Sequence, residues 1–129
     1  MNKFAAFIAV GAGGFIGSVL RYLFSIAGQR FSITFPFGTL GANLFGCLAI
    51  GVITAIAAGS ESISPVTRLF LATGICGGFT TMSSFIYETF QYLRDSEYLY
   101  AGGYFTVTLI GCALMFYIGT IAIKLIIKG

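Results

Sequence analysis

The stretch Thr73-Gly74-Ile75-Cys76-Gly77-Gly78-Phe79-Thr80-Thr81-Met82-Ser83-Ser84-Phe85 puts four hydroxyls after two adjacent glycines, inside an otherwise apolar run. Glycine weakens a helix, and Ser and Thr side chains compete for backbone hydrogen bonds, so the pattern predicts a break. Within a membrane a break survives only where protein or a wet cavity satisfies the freed groups. Interrupted helices of that kind offer an ion their ends and bare carbonyls. The alternative is a continuous helix whose glycines admit a close neighbour.

Other polar groups recur at helical spacing. Thr39 and Asn43 lie four apart and share a face. Asn43 either glues helices together or donates its amide hydrogens to an anion in transit. Tyr104, Thr108 and Cys112 form a second stripe with the same spacing, and Ser83, Ser84 and Glu88 follow the glycines. Glu88 is the one carboxylate within an apolar run, and an ionisable group there is a functional candidate by default. Arg21 either snorkels to an interface or draws anions toward a vestibule. Hydroxyl and amide donors outnumber full charges. A cation path would want rings of Asp or Glu. A small, strongly hydrated anion instead wants donors that replace water without trapping the ion. The electropositive ring edges of Phe79 and Phe85 add to such a path. No nucleophile–base pair and no metal-ligand spacing is present, so an enzyme is not expected.

The elements that must hold these groups are set by composition. Of 129 residues, 57% are hydrophobic and 9% charged, against about 25% charged in soluble domains. Mean hydropathy is +0.96. Lipid is the implied solvent, and no nucleic-acid partner is expected. A crossing takes about 20 apolar residues, and four apolar runs are present, at about 4–26, 37–58, 68–92 and 100–127. The whole of 1–129 reads as one four-helix transmembrane domain. Gly28-Gln29-Arg30 with Pro36, then Gly59-Ser60-Glu61-Ser62 with Ser64-Pro65, then Arg94-Asp95-Ser96-Glu97 separate the runs. The first run has no small-residue cleavage pattern and reads as a retained span. Gly13 and Gly17 form a GxxxG pair suited to close helix packing. Cys47, Cys76 and Cys112 sit in apolar runs and read as small packing residues.

With four spans, Lys3, Arg68, Lys124 and Lys128 gather on one side, and Arg21, Arg30 and Arg94 on the other. The positive-inside rule needs an excess to choose an orientation, and four against three is scarcely one. Such a chain can insert both ways and pair with an inverted copy, unless an unseen context fixes one orientation.

Three segments together resemble the Fluc, or CrcB, family of fluoride channels: Gly13-Gly14-Phe15-Ile16-Gly17-Ser18-Val19-Leu20-Arg21-Tyr22, Phe37-Gly38-Thr39-Leu40-Gly41-Ala42-Asn43-Leu44-Phe45-Gly46, and Gly74 to Phe85 as written above. The likeness spans essentially the whole chain. It implies an antiparallel, dual-topology homodimer in the plasma (inner) membrane of a microbe, with two fluoride pores that relieve fluoride toxicity. It also implies a structural sodium ion at the dimer centre, on backbone carbonyls that match Gly77 and Thr80. By the same resemblance Asn43 is the pore asparagine and Met82 and Phe85 the ring pair lining the path. Ser83, Ser84, Glu88, Tyr104, Thr108 and Cys112 continue the polar track, and Arg21 is the arginine ending helix one. Two positions depart from the family. Met82 stands where Phe is usual, and Cys112 where Ser is more frequent. The alternative is a small dual-topology multidrug transporter, which needs a carboxylate deep in its first helix. A non-conducting subunit, the third possibility, would need neither Asn43 nor a broken third span.

Overall fold

The computed structural model describes residues 2–59 and 61–128, and the fold is all-helical. The expected loop residue Ser60 and the end residues Met1 and Gly129 lie outside the described residues. Four segments are long and apolar enough to cross a membrane: Lys3–Phe31, Phe37–Gly59, Pro65–Arg94 and Tyr98–Lys128. The chain is a multi-pass membrane protein. Helix α1 (Lys3–Phe31) starts at Asn2, whose side chain accepts from the Phe4 N–H. It runs past the expected end near Ile26, because Gly28 stays helical and its Cβ position is filled by the Gly38 backbone. Helix α2 covers Phe37–Gly59 and α6 covers Tyr98–Lys128.

The third span is composite. It opens with α3 (Pro65–Arg68), where Ser64 caps the helix by accepting from the Thr67 N–H and proline occupies the first turn. A π-helical stretch, Leu69–Cys76, follows, then one turn of α-helix, α4 (Gly77–Phe79). Thr80 and Thr81 are extended, and α5 (Met82–Arg94) restarts with Thr81 as its cap. The break therefore falls two residues after the glycine pair. Gly77 and Gly78 are themselves helical.

Packing explains why. A Cβ on Gly78 would sit 2.7 Å from the Gly14 carbonyl oxygen and 3.1 Å from the Gly14 Cα. A Cβ on Gly13 would lie 2.8 Å from the Gly74 Cα, and one on Gly17 would overlap the Ile75 carbonyl oxygen. The glycines of α1 and of the third span thus serve a backbone-to-backbone contact, and the threonines make the break. The predicted break is present; of the alternative, a continuous helix, only the close glycine contact holds, at the residues just before the break. Phe24 closes the far end of the contact, its ring edge-on to Phe79 at 4.9 Å.

Helices α2 and α6 run parallel, with Gly51 backed by the Phe116 main chain and Gly119 by that of Leu48. Large apolar side chains such as Phe4, Phe7, Phe15, Leu99, Leu125 and Ile126 cover the outside of the bundle. In water they would aggregate. Against lipid they are the expected surface.

Candidate functional site

The break is held open by one amide. Asn43, buried on α2, donates from Nδ2 to the Thr81 carbonyl at 3.1 Å and accepts the Thr81 N–H on Oδ1 at 2.7 Å. Both polar groups of an extended residue are thereby satisfied without water. Thr81 also caps α5, its hydroxyl accepting the Ser84 N–H at 3.1 Å and sharing a 3.2 Å hydrogen bond with Ser83.

These diversions have a consequence for the carbonyls upstream. In an unbroken helix the Thr81 N–H would close on Gly77 and the Ser84 N–H on Thr80. Asn43 and the Thr81 hydroxyl take those hydrogens instead, releasing the carbonyls of Gly77 and Thr80 from the helical ladder. Cys76 keeps its partners, accepting from the Thr80 N–H at 3.0 Å and from the Thr80 hydroxyl at 2.9 Å. Gly78 is bound by Arg21, whose Nε donates to its carbonyl at 3.1 Å. Arg21 is half-buried against the broken span, so it acts as a tether on the turn before the break and does not snorkel.

A second cluster lies nearer the α1–α2 loop. Glu88 on α5 accepts from the Thr39 hydroxyl at 2.8 Å and from the Tyr104 hydroxyl at 2.9 Å, one on each carboxylate oxygen. Three helices meet at this carboxylate. A cavity of about 660 Å³ opens beside it, lined by Thr39, Glu88, Gln29, Tyr92, Asp95 and Tyr100 among others. Its rim is fixed by the Tyr92 hydroxyl, which donates to the Thr34 carbonyl at 2.6 Å.

The α6 stripe faces the same interior. Tyr104 and Thr108 are buried, and the Thr108 hydroxyl is a buried polar atom with no hydrogen-bond partner. Cys112, one turn further, is half-buried. Asn43 on α2 stands level with Thr108 on α6, as Thr39 does with Tyr104. Two of the four amide valences of Asn43 go to Thr81, which leaves its second Nδ2 hydrogen uncommitted.

Met82 and Phe85 are not brought together within one chain. Phe85 is 1% exposed, stacked on Phe105 at 5.5 Å and edge-on to Tyr104 at 5.2 Å. Met82 is 64% exposed, on an apolar surface groove with Ser83, Ile86, Tyr87 and Phe90. A methionine offers no electropositive edge to that groove.

The sequence singles out Asn43 and Glu88 but not the pairings Asn43–Thr81 and Arg21–Gly78. Thr81 was legible only as one hydroxyl among several. Its signal was positional: a β-branched cap directly before α5.

A buried polar stripe and a clasped helix break inside a four-span apolar bundle are the features of a multi-pass membrane protein with a polar interior. The family model described as CrcB-like protein, Camphor Resistance (CrcB), matches residues 8–120, and the chain belongs to the CrcB family. It is 45% identical over 124 residues to a protein named fluoride-specific ion channel FluC from Chlorobium phaeobacteroides strain BS1, covering 96% of this chain and 97% of that one. It is 46% identical over 118 residues to the protein of the same name from Chlorobaculum tepidum, covering 92% and 94%. A Clostridium perfringens (strain 13) protein, also so named, is 44% identical over 117 residues, covering 90% and 91%.

Proposed function

We propose that the chain is one half of an antiparallel homodimer that conducts fluoride passively across the plasma membrane of a microbe, through two pores per dimer. It is a channel and not an enzyme, and its purpose is to discharge toxic fluoride. The observation that carries this reading is the run of neutral donors converging on the α2–α6 level, in a family whose relatives are named for fluoride. Asn43 offers an amide hydrogen, Thr108 an uncommitted buried hydroxyl, and Thr39 and Tyr104 hydroxyls that Glu88 holds in place. No Lys or Arg side chain is part of that set, so an anion meets donors that replace its water without a full positive charge to trap it.

Glu88 gives the set a mechanism. An ionised carboxylate only accepts, so it draws both hydroxyl hydrogens toward itself while the path is empty. A passing fluoride competes for those hydrogens, and the carboxylate reclaims them when the ion leaves. Hydrogen bonds to a charged group contribute about 1.5–3 kcal/mol, which corresponds to roughly 10- to 100-fold in rate. Glu88→Ala is therefore expected to lower fluoride efflux by roughly that factor while the protein stays folded. Wild-type flux in that variant would remove Glu88 from the mechanism.

Pairing with an inverted copy is supported by the weak charge bias between the two ends and by the apolar groove at Met82 and Phe90. The released carbonyls of Gly77 and Thr80 fit a structural sodium ion. They are hard oxygen donors, and two from each chain would supply four to a cation at the seam. Bound there, the ion would neutralise the ends of two interrupted helices and lock the halves together. The multidrug-transporter alternative lacks support, since no acidic residue lies anywhere in α1. The reading is tested in cells: expression should restore growth in fluoride to a bacterium stripped of its own fluoride exit route. Failure of a well-expressed protein to do so would contradict it.

A further inference from the structure

We propose that Tyr92 is a positioning residue for conduction, a role that rests on the proposed function. It latches the α1–α2 loop across the mouth of the cavity beside Glu88, and the latched loop in turn holds the ring of Tyr104. The cavity has two walls, one running from the end of α1 to the start of α2 and one from α5 to α6. Among the described residues two side-chain hydrogen bonds join these walls. The inner one, from the Thr39 hydroxyl to Glu88, is part-buried at 2.8 Å. The outer one, from the Tyr92 hydroxyl to the Thr34 carbonyl, is exposed at 2.6 Å.

The loop is a short strap fixed at both ends. The Ser32 N–H donates to the Gly28 carbonyl at 3.1 Å, and a Cβ on Gly28 would overlap the Gly38 nitrogen. Between those ends Ser32 Oγ accepts the N–H groups of Thr34 and Phe35 at 3.2 and 3.1 Å, and Pro36 fixes its own φ. The turn satisfies itself, and the Thr34 carbonyl is given to Tyr92. Phe35, the next residue, sets its ring edge-on to Tyr104 at 5.5 Å. Tyr92 brings its own ring to Tyr104 at 6.4 Å, and Phe85 is a third neighbour at 5.2 Å. Two of these three rings are therefore governed by the latch. A ring so held aims its hydroxyl, which donates to Glu88 at 2.9 Å. The strap thus reaches the donor set without contributing a donor to it.

Tyr92→Phe removes the latch alone. The ring keeps its stacking on Tyr100 at 5.6 Å, and the exposed Thr34 carbonyl turns to water, so the fold survives. Amide hydrogen exchange over residues 32–38 of the purified protein should quicken roughly five-fold, the size of one neutral hydrogen bond. Fluoride efflux from liposomes should fall by a similar factor. Phe35→Leu frees Tyr104 while sparing the latch, so it should slow efflux equally, and the two changes together should be no slower than either alone. Tyr104→Phe separates positioning from general loosening. In that background Tyr92→Phe should cost less than about two-fold more, whereas independent lesions would multiply. Unchanged exchange in Tyr92→Phe would overturn the latch. Quickened exchange with the parent flux, or the full loss repeated in the Tyr104→Phe background, would remove Tyr92 from the path. A parent protein that releases no fluoride would overturn the channel reading instead, and the exchange rates would still decide the latch.

Discussion

Asn43→Leu is expected to abolish measurable fluoride efflux. Leucine matches the shape of asparagine but makes neither hydrogen bond to Thr81. The Thr81 N–H and carbonyl would then be stranded in an apolar interior, at about 1–3 kcal/mol each. The cheapest relief is for the Thr81 N–H to rejoin the helical ladder at Gly77, which straightens the span and reclaims a carbonyl that the proposed sodium ion would use. A donor to the anion is lost in the same stroke. Efflux should fall at least roughly 100-fold, since 2.7 kcal/mol corresponds to about two decades in rate. Asn43→Asp separates the two effects. Its carboxylate still accepts the Thr81 N–H but cannot donate to the carbonyl, and it puts a negative charge beside an anion path. It too should fail to conduct, while retaining more stability than the leucine variant. A leucine variant that conducts at the parent rate would show that the clasp is dispensable.

Gly17→Val should be the most damaging single change to the fold. The added Cβ would overlap the Ile75 carbonyl oxygen and sit 2.8 Å from the Phe79 nitrogen. Both are backbone atoms, and no side-chain rotamer relieves the clash. Overpacking a well-filled interior costs about 1–3 kcal/mol, occasionally more, and here the third span must move away from α1 just before its break. Arg21 would lose its reach to Gly78 as well. The expected result is loss of the monodisperse species in size-exclusion chromatography, or a fall in thermal midpoint of several degrees. Gly14→Ala makes an informative partner. Nothing occupies the space its Cβ would enter, so it should be tolerated.

The four spans were legible in the sequence because hydropathy and loop chemistry agree. The boundaries were legible only within a few residues, because Gly28 reads as a terminator yet is kept helical by the Gly38 backbone. The break was legible as to segment but not as to residue. Gly77-Gly78 looks like the weak point, whereas the tight contact with Gly14 holds it helical and the extended backbone falls on Thr80 and Thr81. What could not be read from one dimension was who satisfies whom. Asn43 and Thr81 are 38 positions apart, Arg21 and Gly78 are 57 apart, and only the packed bundle pairs them. The shared face of Thr39 and Asn43 was visible from spacing, but that Thr39 serves Glu88 while Asn43 serves the break was not.

Ion-selective electrode recordings from liposomes reconstituted with the purified protein address the central claim most directly. Neutral donors clasped around a broken span should release trapped fluoride rapidly once a cation ionophore dissipates the charge, and should leave chloride inside. Retention of fluoride, or release of chloride at a comparable rate, would contradict the account.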